Sequence, residues 1–256
     1  MASLVFPFHD PNNIETKFLK QILRLLKENF DNAFVSITSK TVVMNPEAVS
    51  FLKEDSFFVV NENLEGSLIG DHFMASYKNA VESSRPDQIL HLCTSDRLVF
   101  ALLNYKDSFL SDININSGNT PILFMRSDKA WSTHPANYRA AELMVTEAGR
   151  ILFGKTLDFT WCHLSLTAEQ LSNILPSLTA RDLVVTSQII FSLRDELNIK
   201  EVDWLSWEDP FIFAKDPQQL KLERENDPAE LERRMSYVLS EIKYLFEEFR
   251  KLKSIS

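Results

Sequence analysis

The first half of the chain alternates between short apolar runs and longer segments with helical spacing of apolar residues. The apolar runs lie near residues 4–8, 33–38, 57–60 and 88–94. Between them, segments such as 14–30 place an apolar side chain on every third or fourth position, the period of an amphipathic helix. This β-α-β-α-β-α-β order predicts a parallel sheet with right-handed crossover connections.

The second half is less regular and ends in a long amphipathic helix at about residues 227–253. Met235, Val238 and Leu245 belong to its apolar stripe, and charged residues cover its other face. Such a stripe predicts packing against the parent domain or, alternatively, a homodimer contact. We expect a main domain over residues 1–213 and, over 214–256, a linker followed by this helix. The other predicted elements are helices at 97–110, 138–153, 168–175 and 182–197, strands at 121–125, 157–166 and 202–205, and a polar linker at 215–227.

Composition narrows the class of protein. A net charge of −9 over 256 residues disfavours binding to a nucleic-acid backbone. The 5 glycines form no cluster, so the sequence has no glycine-rich phosphate loop. Cys93 and Cys162 lie in apolar runs, which suits buried thiols better than a zinc site. No apolar run reaches the roughly 18 residues of a membrane span. Because the N-terminus lacks a signal-peptide pattern, we expect a cytoplasmic protein without a transmembrane segment.

The stretch at residues 88–97 places an acidic group, Asp96, directly after a predicted strand. In open α/β sheets, ligands bind at the carboxyl ends of the strands. A carboxylate at that place is suited to hold a metal ion, a ribose or a sugar. Asp is also a preferred N-cap residue, so the alternative is that Asp96 only caps the helix that follows.

The order of elements over residues 3–213 resembles the GT-A fold of nucleotide-sugar glycosyltransferases, in particular those of glycosyltransferase family 2. Residues 3–10 resemble the first strand of that family, whose loop touches the nucleotide base, and the loop at 61–70 resembles the segment before its metal-binding strand. Thr94-Ser95-Asp96 stands where the family has its Asp-x-Asp motif. Arg139 and Glu142 resemble an Arg-x-x-Glu element of relatives that make glycosylglycerate-type products.

The resemblance implies an α/β fold with a mostly parallel central sheet flanked by helices. It also implies transfer of a sugar from a nucleotide-sugar donor to an unidentified acceptor with the help of Mg²⁺ or Mn²⁺. The donor and nucleotide contacts implied are Phe8, His9, Asp10, Thr38, Asn61, Ser95, Asp96, Arg126 and Arg139. The implied acceptor side consists of Trp131, His163 and Trp207, the implied metal ligands are Asp96, Glu208 and Asp209, and the implied catalytic carboxylate is Asp182.

Three positions depart from the pattern of the family. Thr94 replaces the first Asp of the motif, and Gln188 stands where a Glu is expected on the acceptor-side helix. Glu208 and Asp209 replace a late metal-binding His. Carboxylate oxygens suit Mg²⁺ and Mn²⁺, so this last exchange is chemically tolerable. Glu208-Asp209-Pro210 has the alternative of being an ordinary turn.

The polar segment 126–139 contains a group of potential diphosphate ligands. It lacks apolar periodicity, so we expect a mobile loop that closes over the diphosphate. Arginine is well suited to this role because its planar fork matches a phosphate group. Alternatively, Arg139 pairs with Glu142 on one helix face, and His163 is a residue of the core. The cations and imidazole of the segment are Arg126, Lys129, His134 and Arg139.

Three functions compete on these grounds. The first is a metal-dependent glycosyltransferase, and the second is a binding or interaction protein that keeps the fold without turnover. Thr94 favours the second, whereas Asp96, Arg139 and the Glu208-Asp209 pair favour the first. A sugar-phosphate nucleotidyltransferase ranks third, because it needs a glycine-rich loop with a cation after the first strand. Residues 9–13 contain neither glycine nor Lys or Arg.

Overall fold

A mixed β-sheet runs through the protein, and helices cover both of its faces. The computed structural model describes residues 1–114, 120–160, 163–207 and 216–255. The strands in these ranges are β1 (Ser3–Phe8), β2 (Ala33–Ile37), β3 (Phe58–Glu62), β4 (Ile89–Leu92), β5 (Ile122–Arg126), β6 (Leu164–Thr167) and β7 (Asn198–Val202).

The helices alternate with the strands in the first half and dominate the second. The first six are α1 (Glu15–Asn29), α2 (Ser39–Met44), α3 (Pro46–Glu54), α4 (Ile69–Ser83), α5 (Ser95–Asn104) and α6 (Lys106–Ile113). The others are α7 (Asp128–Thr133), α8 (Ala136–Phe153), α9 (Ala168–Ile174), α10 (Val184–Leu193), α11 (Pro217–Glu225) and α12 (Pro228–Ile255). Among the described residues, no helix combines the length and the apolar character that crossing a membrane requires.

The strand order is β3-β2-β1-β4-β6-β5-β7. β1 pairs in parallel with β2 and with β4, and β2 pairs in parallel with β3. The prediction of a parallel sheet in the first half is therefore confirmed. β6 is antiparallel to both of its neighbours, β4 and β5, and β5 is parallel to β7. The sheet as a whole is mostly parallel, as expected.

Successive residues of β1 point to opposite faces of the sheet and divide the core into two layers. Leu4, Phe6 and Phe8 pack in the layer that contains α1, α3, α5 and α6. Val5 packs in the other layer, which contains α4, α8, α9, α10 and α12. Both faces are thus buried, which explains why β1 and β2 are apolar without a polar alternation.

The long C-terminal helix packs on the second layer. Val238 and Leu245 of α12 are buried there, next to Val145 of α8 and Ile189 of α10. The predicted apolar stripe is thus the face of α12 that packs against the parent domain.

Four predicted segments differ from the observed structure. The single helix expected at 97–110 is two helices, α5 and α6, and the strand expected at 157–166 is observed at 164–167. The strand expected at 202–205 lies earlier, because residues 198–202 pair with β5 and a 3₁₀ turn follows. The linker expected at 215–227 contains α11, whose N-cap is Asp216; its side chain accepts a hydrogen bond from the Gln219 backbone N–H at 2.9 Å.

The sheet has a topological switch point between β1 and β4. The chain leaves β1 to form β2 and β3 on one side, and it then returns to form β4 on the other side. The carboxyl ends of β1 and β4 therefore diverge at one place, which is where open α/β sheets bind ligands. Residues 9–10 and 94–96 follow these two strands directly.

Gly70 lets the start of α4 approach the segment before α10. Its backbone N–H donates to the carbonyl oxygen of Arg181 at 2.8 Å. A Cβ at this position would lie 2.5 Å from the Arg181 carbonyl carbon and 2.7 Å from the Asp182 carbonyl oxygen. Both are backbone atoms, so the two segments would have to separate.

We therefore expect Gly70→Ala to lower the free energy of unfolding by about 1 to 3 kcal/mol, the usual cost of overpacking. Urea denaturation followed by circular dichroism measures this difference. Ser67→Ala, just before α4, is the control and should unfold like the wild type. If Gly70→Ala has the same urea midpoint as the wild type, the close approach of α4 to the segment before α10 is contradicted.

Candidate functional site

The turns that follow β1 and β2 are joined by their side chains. His9 is exposed, and its Nδ1 lies 2.9 Å from Thr38 Oγ1. Thr38 donates its backbone N–H to the carbonyl oxygen of Phe8 at 3.1 Å and is the N-cap of α2. The predicted nucleotide residues His9 and Thr38 thus lie together at the carboxyl edge of the sheet. The Phe8 side chain packs in the core and offers no surface to a ligand.

Asp10 is used by the fold itself. Its carboxylate accepts hydrogen bonds from the Ile14 backbone N–H at 2.7 Å, the Thr16 backbone N–H at 2.8 Å and the Thr16 hydroxyl at 2.6 Å. The side chain is only 3% exposed. Asp10 therefore satisfies the free N–H groups at the start of α1, the role of a helix cap.

Two carboxyl groups meet at the switch point. Ser95 Oγ donates to Glu15 Oε2 at 2.6 Å, and Asp96 Oδ1 accepts from the Arg97 backbone N–H at 2.7 Å. Burial raises the pKa of the Glu15 carboxyl well above its usual range, and the neighbouring charges of Asp96 and Asp10 raise it further. A cation bound at this place would relieve the repulsion between Glu15 and Asp96.

Glu15 was not among the predicted site residues. The signal for it is weak in sequence, since an acidic residue in the first turn of a helix is common. Its position depends on α1 packing beside α5, which brings residues 15 and 95 together across 80 positions of the chain.

The predicted metal site is only partly within the described ranges. Asp96 is partly exposed, and Thr94, not Asp96, is the N-cap of α5. Glu208 and Asp209 lie outside the described residues. Among the residues that the structure does describe, no group of three or more His, Cys, Asp or Glu side chains is arranged to hold a metal ion.

Two further buried polar atoms lie at the end of β3 and at the start of α4. Asn61 is partly exposed, but its Oδ1 is buried and has no hydrogen-bond partner within the described ranges. The same holds for Nδ1 of His72, which is buried in the first turn of α4. Burial lowers the pKa of His72, and the positive charge on His9 would lower it further. His72 therefore stays neutral and keeps one ring nitrogen available to a ligand.

Arg126 does not belong to a loop. Its guanidinium is fully buried at the end of β5 and donates from Nε to Asp158 Oδ2 at 2.8 Å and from Nη2 to Asp158 Oδ1 at 2.7 Å. Nη1 donates to Glu142, and Trp131 stacks with its ring centroid 3.4 Å from the guanidinium carbon. The expectation that Arg126 binds a diphosphate fails, because buried protein groups already occupy its fork.

The segment 126–139 is not an irregular lid. Ser127 caps α7 and donates from its hydroxyl to Asp203 Oδ1 at 2.6 Å, and Lys129 Nζ pairs with Asp203 Oδ2 at 2.8 Å. At the other end of α7, the Thr133 hydroxyl accepts from the Trp207 backbone N–H at 2.8 Å. The polar residues of this segment predict a loop when only the neighbouring sequence is considered, because their partners lie more than 70 positions away.

Arg139 is exposed in the first turn of α8. The alternative, a pair between Arg139 and Glu142, is not observed, because Glu142 binds Arg126 on one side and Arg234 on the other. β5 and β4 run in the same direction, so α8 begins at the same edge of the sheet as Asp96. The structure thus leaves the Arg139 guanidinium exposed on that edge.

The three residues predicted for the acceptor side are all buried. Trp131 is 8% exposed beneath Arg126, and Trp207 is 7% exposed. His163 is fully buried, with its ring centroid 5.4 Å from that of Trp204. Burial holds the pKa of His163 well below its usual range, so the ring is neutral. The core interpretation of His163 agrees with this position.

The acceptor-side helix is organised by Gln188 and Asp182. Gln188 Oε1 accepts from the backbone N–H groups of Thr179 and Ala180, each at 3.0 Å, so it fixes the loop before α10. Asp182 is partly exposed, and its Oδ1 accepts from the Val184 backbone N–H at 3.1 Å. A neutral amide at position 188 is therefore explained by a structural role.

A cavity of about 130 Å³ lies between the turn after β4 and α12. It contains a buried acid that sequence reasoning missed, Glu241, which is 2% exposed. The signal for it is an acidic residue on the apolar stripe of α12, between Val238 and Leu245. The polar residues that line the cavity are Thr94, Glu142, Thr160, Thr186, Arg234, Tyr237 and Glu241.

Comparison with solved structures identifies the architecture. The glucosyl-3-phosphoglycerate synthase from Mycobacterium tuberculosis, in complex with Mn²⁺, uridine diphosphate and phosphoglyceric acid, superposes with a TM-score of 0.51 and 13% identity, over 94% of this chain and 78% of that one. Its complex with Mn²⁺, UDP-glucose and phosphoglyceric acid gives a TM-score of 0.50 and 14% identity, over 95% and 80%.

A further structure, of a mycobacterial protein, has a TM-score of 0.50 and 14% identity over 80% of this chain, which spans 65% of its length. No protein-family model and no curated protein sequence matches the chain. The protein therefore has a GT-A-type fold, the architecture of nucleotide-sugar enzymes.

The buried network around Arg126 leads to a stability prediction. Arg126→Met leaves Asp158 and Glu142 buried without their main partner, and breaking a buried ion pair in this way costs about 3 to 5 kcal/mol. Chemical denaturation should show a loss of that size. Lys129→Met removes an exposed ion pair and should cost less than about 1 kcal/mol. Wild-type stability of Arg126→Met, combined with lost nucleotide binding, would restore the phosphate-binding role.

Proposed function

We propose that this protein is a nucleotide-sugar transferase that binds its donor at the carboxyl ends of β1 to β4. The observation that carries the proposal is the meeting of Ser95 and Asp96 with Glu15 at the switch point, beside the exposed ring of His9. The GT-A-type fold supports it, since this is the place where a sheet of this topology has room for a ligand.

The nucleoside would lie along the ends of β1, β2 and β3. His9, Thr38 and Asn61 supply hydrogen-bonding groups there, and His72 adds a buried neutral imidazole. Neutral groups of this kind read the edges of a base and the hydroxyls of a ribose without attracting a charge. Asp10 supports this side indirectly, because its carboxylate is bound by α1, its backbone N–H donates to Thr41 and its carbonyl oxygen accepts from Asn45.

A divalent cation fits at Asp96. Oδ1 accepts the Arg97 N–H, while Oδ2 has no hydrogen-bond partner within the described ranges, and hard carboxylate oxygens are the ligands that Mg²⁺ and Mn²⁺ prefer. Glu208 and Asp209 are the proposed further ligands. When bound, the ion would neutralise the charge that develops on the leaving diphosphate.

Two further residues have proposed roles in the transfer. Arg139, exposed at the start of α8, would contact the diphosphate. Asp182 would orient the acceptor hydroxyl and accept its proton. It lies close enough to the cavity beneath α12 for its charge to raise the pKa of Glu241. Donor and acceptor would thus meet between the turn after β4 and the start of α10.

A binding protein without turnover is the second candidate. Thr94 supports it, because this residue removes one carboxylate from the motif, and its hydroxyl oxygen has no hydrogen-bond partner within the described ranges. The two candidates differ in one measurement. Only the transferase releases free nucleoside diphosphate and a glycosylated product when it is given a nucleotide sugar and a suitable hydroxyl compound.

The donor site is tested by replacing Asp96. We expect Asp96→Asn to weaken Mn²⁺-dependent binding of uridine diphosphate by at least about tenfold, because a charge-assisted contact worth about 1.5 to 3 kcal/mol is lost. Isothermal titration with and without Mn²⁺ measures this effect. Asp87→Asn, on the exposed surface, is the matched control. Equal affinity of Asp96→Asn and wild type in the presence of Mn²⁺ would refute the metal site.

The diphosphate contact is tested separately. Arg139→Ala should weaken the binding of uridine diphosphate by roughly ten- to a hundredfold and that of uridine by far less, because only the diphosphate carries the charge that Arg139 meets. The variant should unfold like the wild type, since the side chain is exposed. Unchanged affinity for the diphosphate would remove Arg139 from the site.

A further inference from the structure

The cavity beneath α12 contains polar groups that the fold leaves without partners. Oγ1 of Thr94 and Nε of Arg234 are buried and have no hydrogen-bond partner within the described ranges. Glu241 lines the same cavity and is only 2% exposed. Buried polar groups in folded proteins are nearly always hydrogen-bonded. Two such groups and a buried acid around one space indicate a site for a polar molecule.

The charges around the cavity are largely balanced before any ligand arrives. Glu142 accepts from Arg126 and from Arg234, and Arg126 also binds Asp158 in a two-pronged contact. Both arginines are thus engaged by carboxylates of the protein. An anionic ligand would therefore find no cation in the cavity whose charge is still uncompensated.

Glu241 contributes an uncharged carboxyl group to the cavity. Burial raises the pKa of its carboxyl well above the usual range, and the charges of Glu142, Asp158 and Asp182 raise it further, while Arg126 opposes them. The protonated carboxyl group both donates and accepts a hydrogen bond. The groups that face Glu241 are Glu142 of α8, Asp158, Asp182, Arg126 of β5 and, on α12 itself, Arg234 and Tyr237.

We propose that this cavity receives the acceptor, and that the acceptor is an uncharged, hydroxyl-bearing molecule held by Glu241, Thr94 and Arg234. The proposal rests on the function proposed above, because it assigns the cavity to the acceptor of that reaction. Cavities of about 150 Å³ hold a molecule of the size of benzene. A volume of about 130 Å³ therefore suits a group of roughly six non-hydrogen atoms.

The chemistry of the lining excludes charged acceptors of the same size. A carboxylate would enter beside Glu142 and Glu241, where Arg234 is already paired with Glu142, so its charge would be buried without a cation of its own. An ammonium group would need Glu241 in its ionised form. A hydroxyl group needs neither, since it accepts from Arg234 Nε and exchanges hydrogen bonds with Glu241 and Thr94.

Three probes of nearly equal size separate these possibilities: glycerol, glycerate and 2-amino-1,3-propanediol, which are neutral, anionic and cationic. Their binding to the full chain is measured by NMR titration. We expect glycerol to bind at least about tenfold more tightly than either charged probe, the difference that one unfavourable buried polar contact produces. Tighter binding of glycerate or of the amine would overturn the proposal.

Substitutions at Glu241 test the contact itself. Glu241→Gln keeps a neutral donor and acceptor, so glycerol should bind within about threefold of wild type, whereas Glu241→Leu should bind it at least about tenfold more weakly. Glu232→Leu, on the exposed face of the same helix, is the matched control. Thermal unfolding verifies that each variant is folded. Equal binding by Glu241→Leu and wild type would refute the role of this residue.

The dependence on pH provides a second readout. Glycerol binding to the wild type should weaken as the pH rises through the raised pKa of Glu241, because the ionised carboxylate loses its proton donor. Binding to Glu241→Gln should not change over the same range.

Titration with uridine diphosphate and Mn²⁺ is run on each variant as well. If the wild type binds uridine diphosphate with Mn²⁺ but does not bind glycerol, this proposal alone is refuted. If the wild type does not bind uridine diphosphate with Mn²⁺, the proposed transferase function is refuted.

Discussion

The buried guanidinium of Arg126 is the contact on which the second half of the structure depends. It joins the end of β5 to Asp158 and to Glu142 of α8, and Glu142 extends the network to Arg234 of α12. Taking a guanidinium out of water costs several kcal/mol, which only well-oriented partners offset. Here the two-pronged carboxylate and the stacked ring of Trp131 supply that geometry. The Glu142–Arg234 pair ties α12 to α8, and α12 forms one wall of the cavity beneath it.

This arrangement has an electrostatic consequence for the proposed reaction. The protein carries a net charge of −9, and the network uses two of its arginines to neutralise buried carboxylates. An exposed Arg139 and a divalent ion at Asp96 are the groups that we propose to meet the diphosphate at the carboxyl edge of the sheet. Around the cavity proposed for the acceptor, by contrast, Arg126 and Arg234 are already paired with Glu142 and Asp158.

The predicted site residues fall into two groups, those whose position follows from neighbouring residues in the sequence and those whose partners are distant in the sequence. His9, Thr38, Ser95 and Asp96 follow strands directly, and the structure places them at one edge of the sheet, because parallel strands end on the same side. Arg126 looked like a loop cation because it precedes a polar segment, yet its main partner, Asp158, is 32 positions away. The predicted acceptor residues Trp131, His163 and Trp207 were chosen for their side-chain types, which do not distinguish a ligand face from a core.

The amino-acid sequence is enough to predict the elements whose signal is periodic: the parallel first half of the sheet, the helices between its strands, and the face of α12 that packs inward. These follow from the spacing of apolar residues, a property that a short window of sequence contains. Three features become visible only in the folded protein: β6 is antiparallel to its neighbours, residues 198–202 form the last strand of the sheet, and Glu241 faces a cavity. Strand order and the partners of buried charges depend on contacts between distant residues, and no local spacing specifies those contacts.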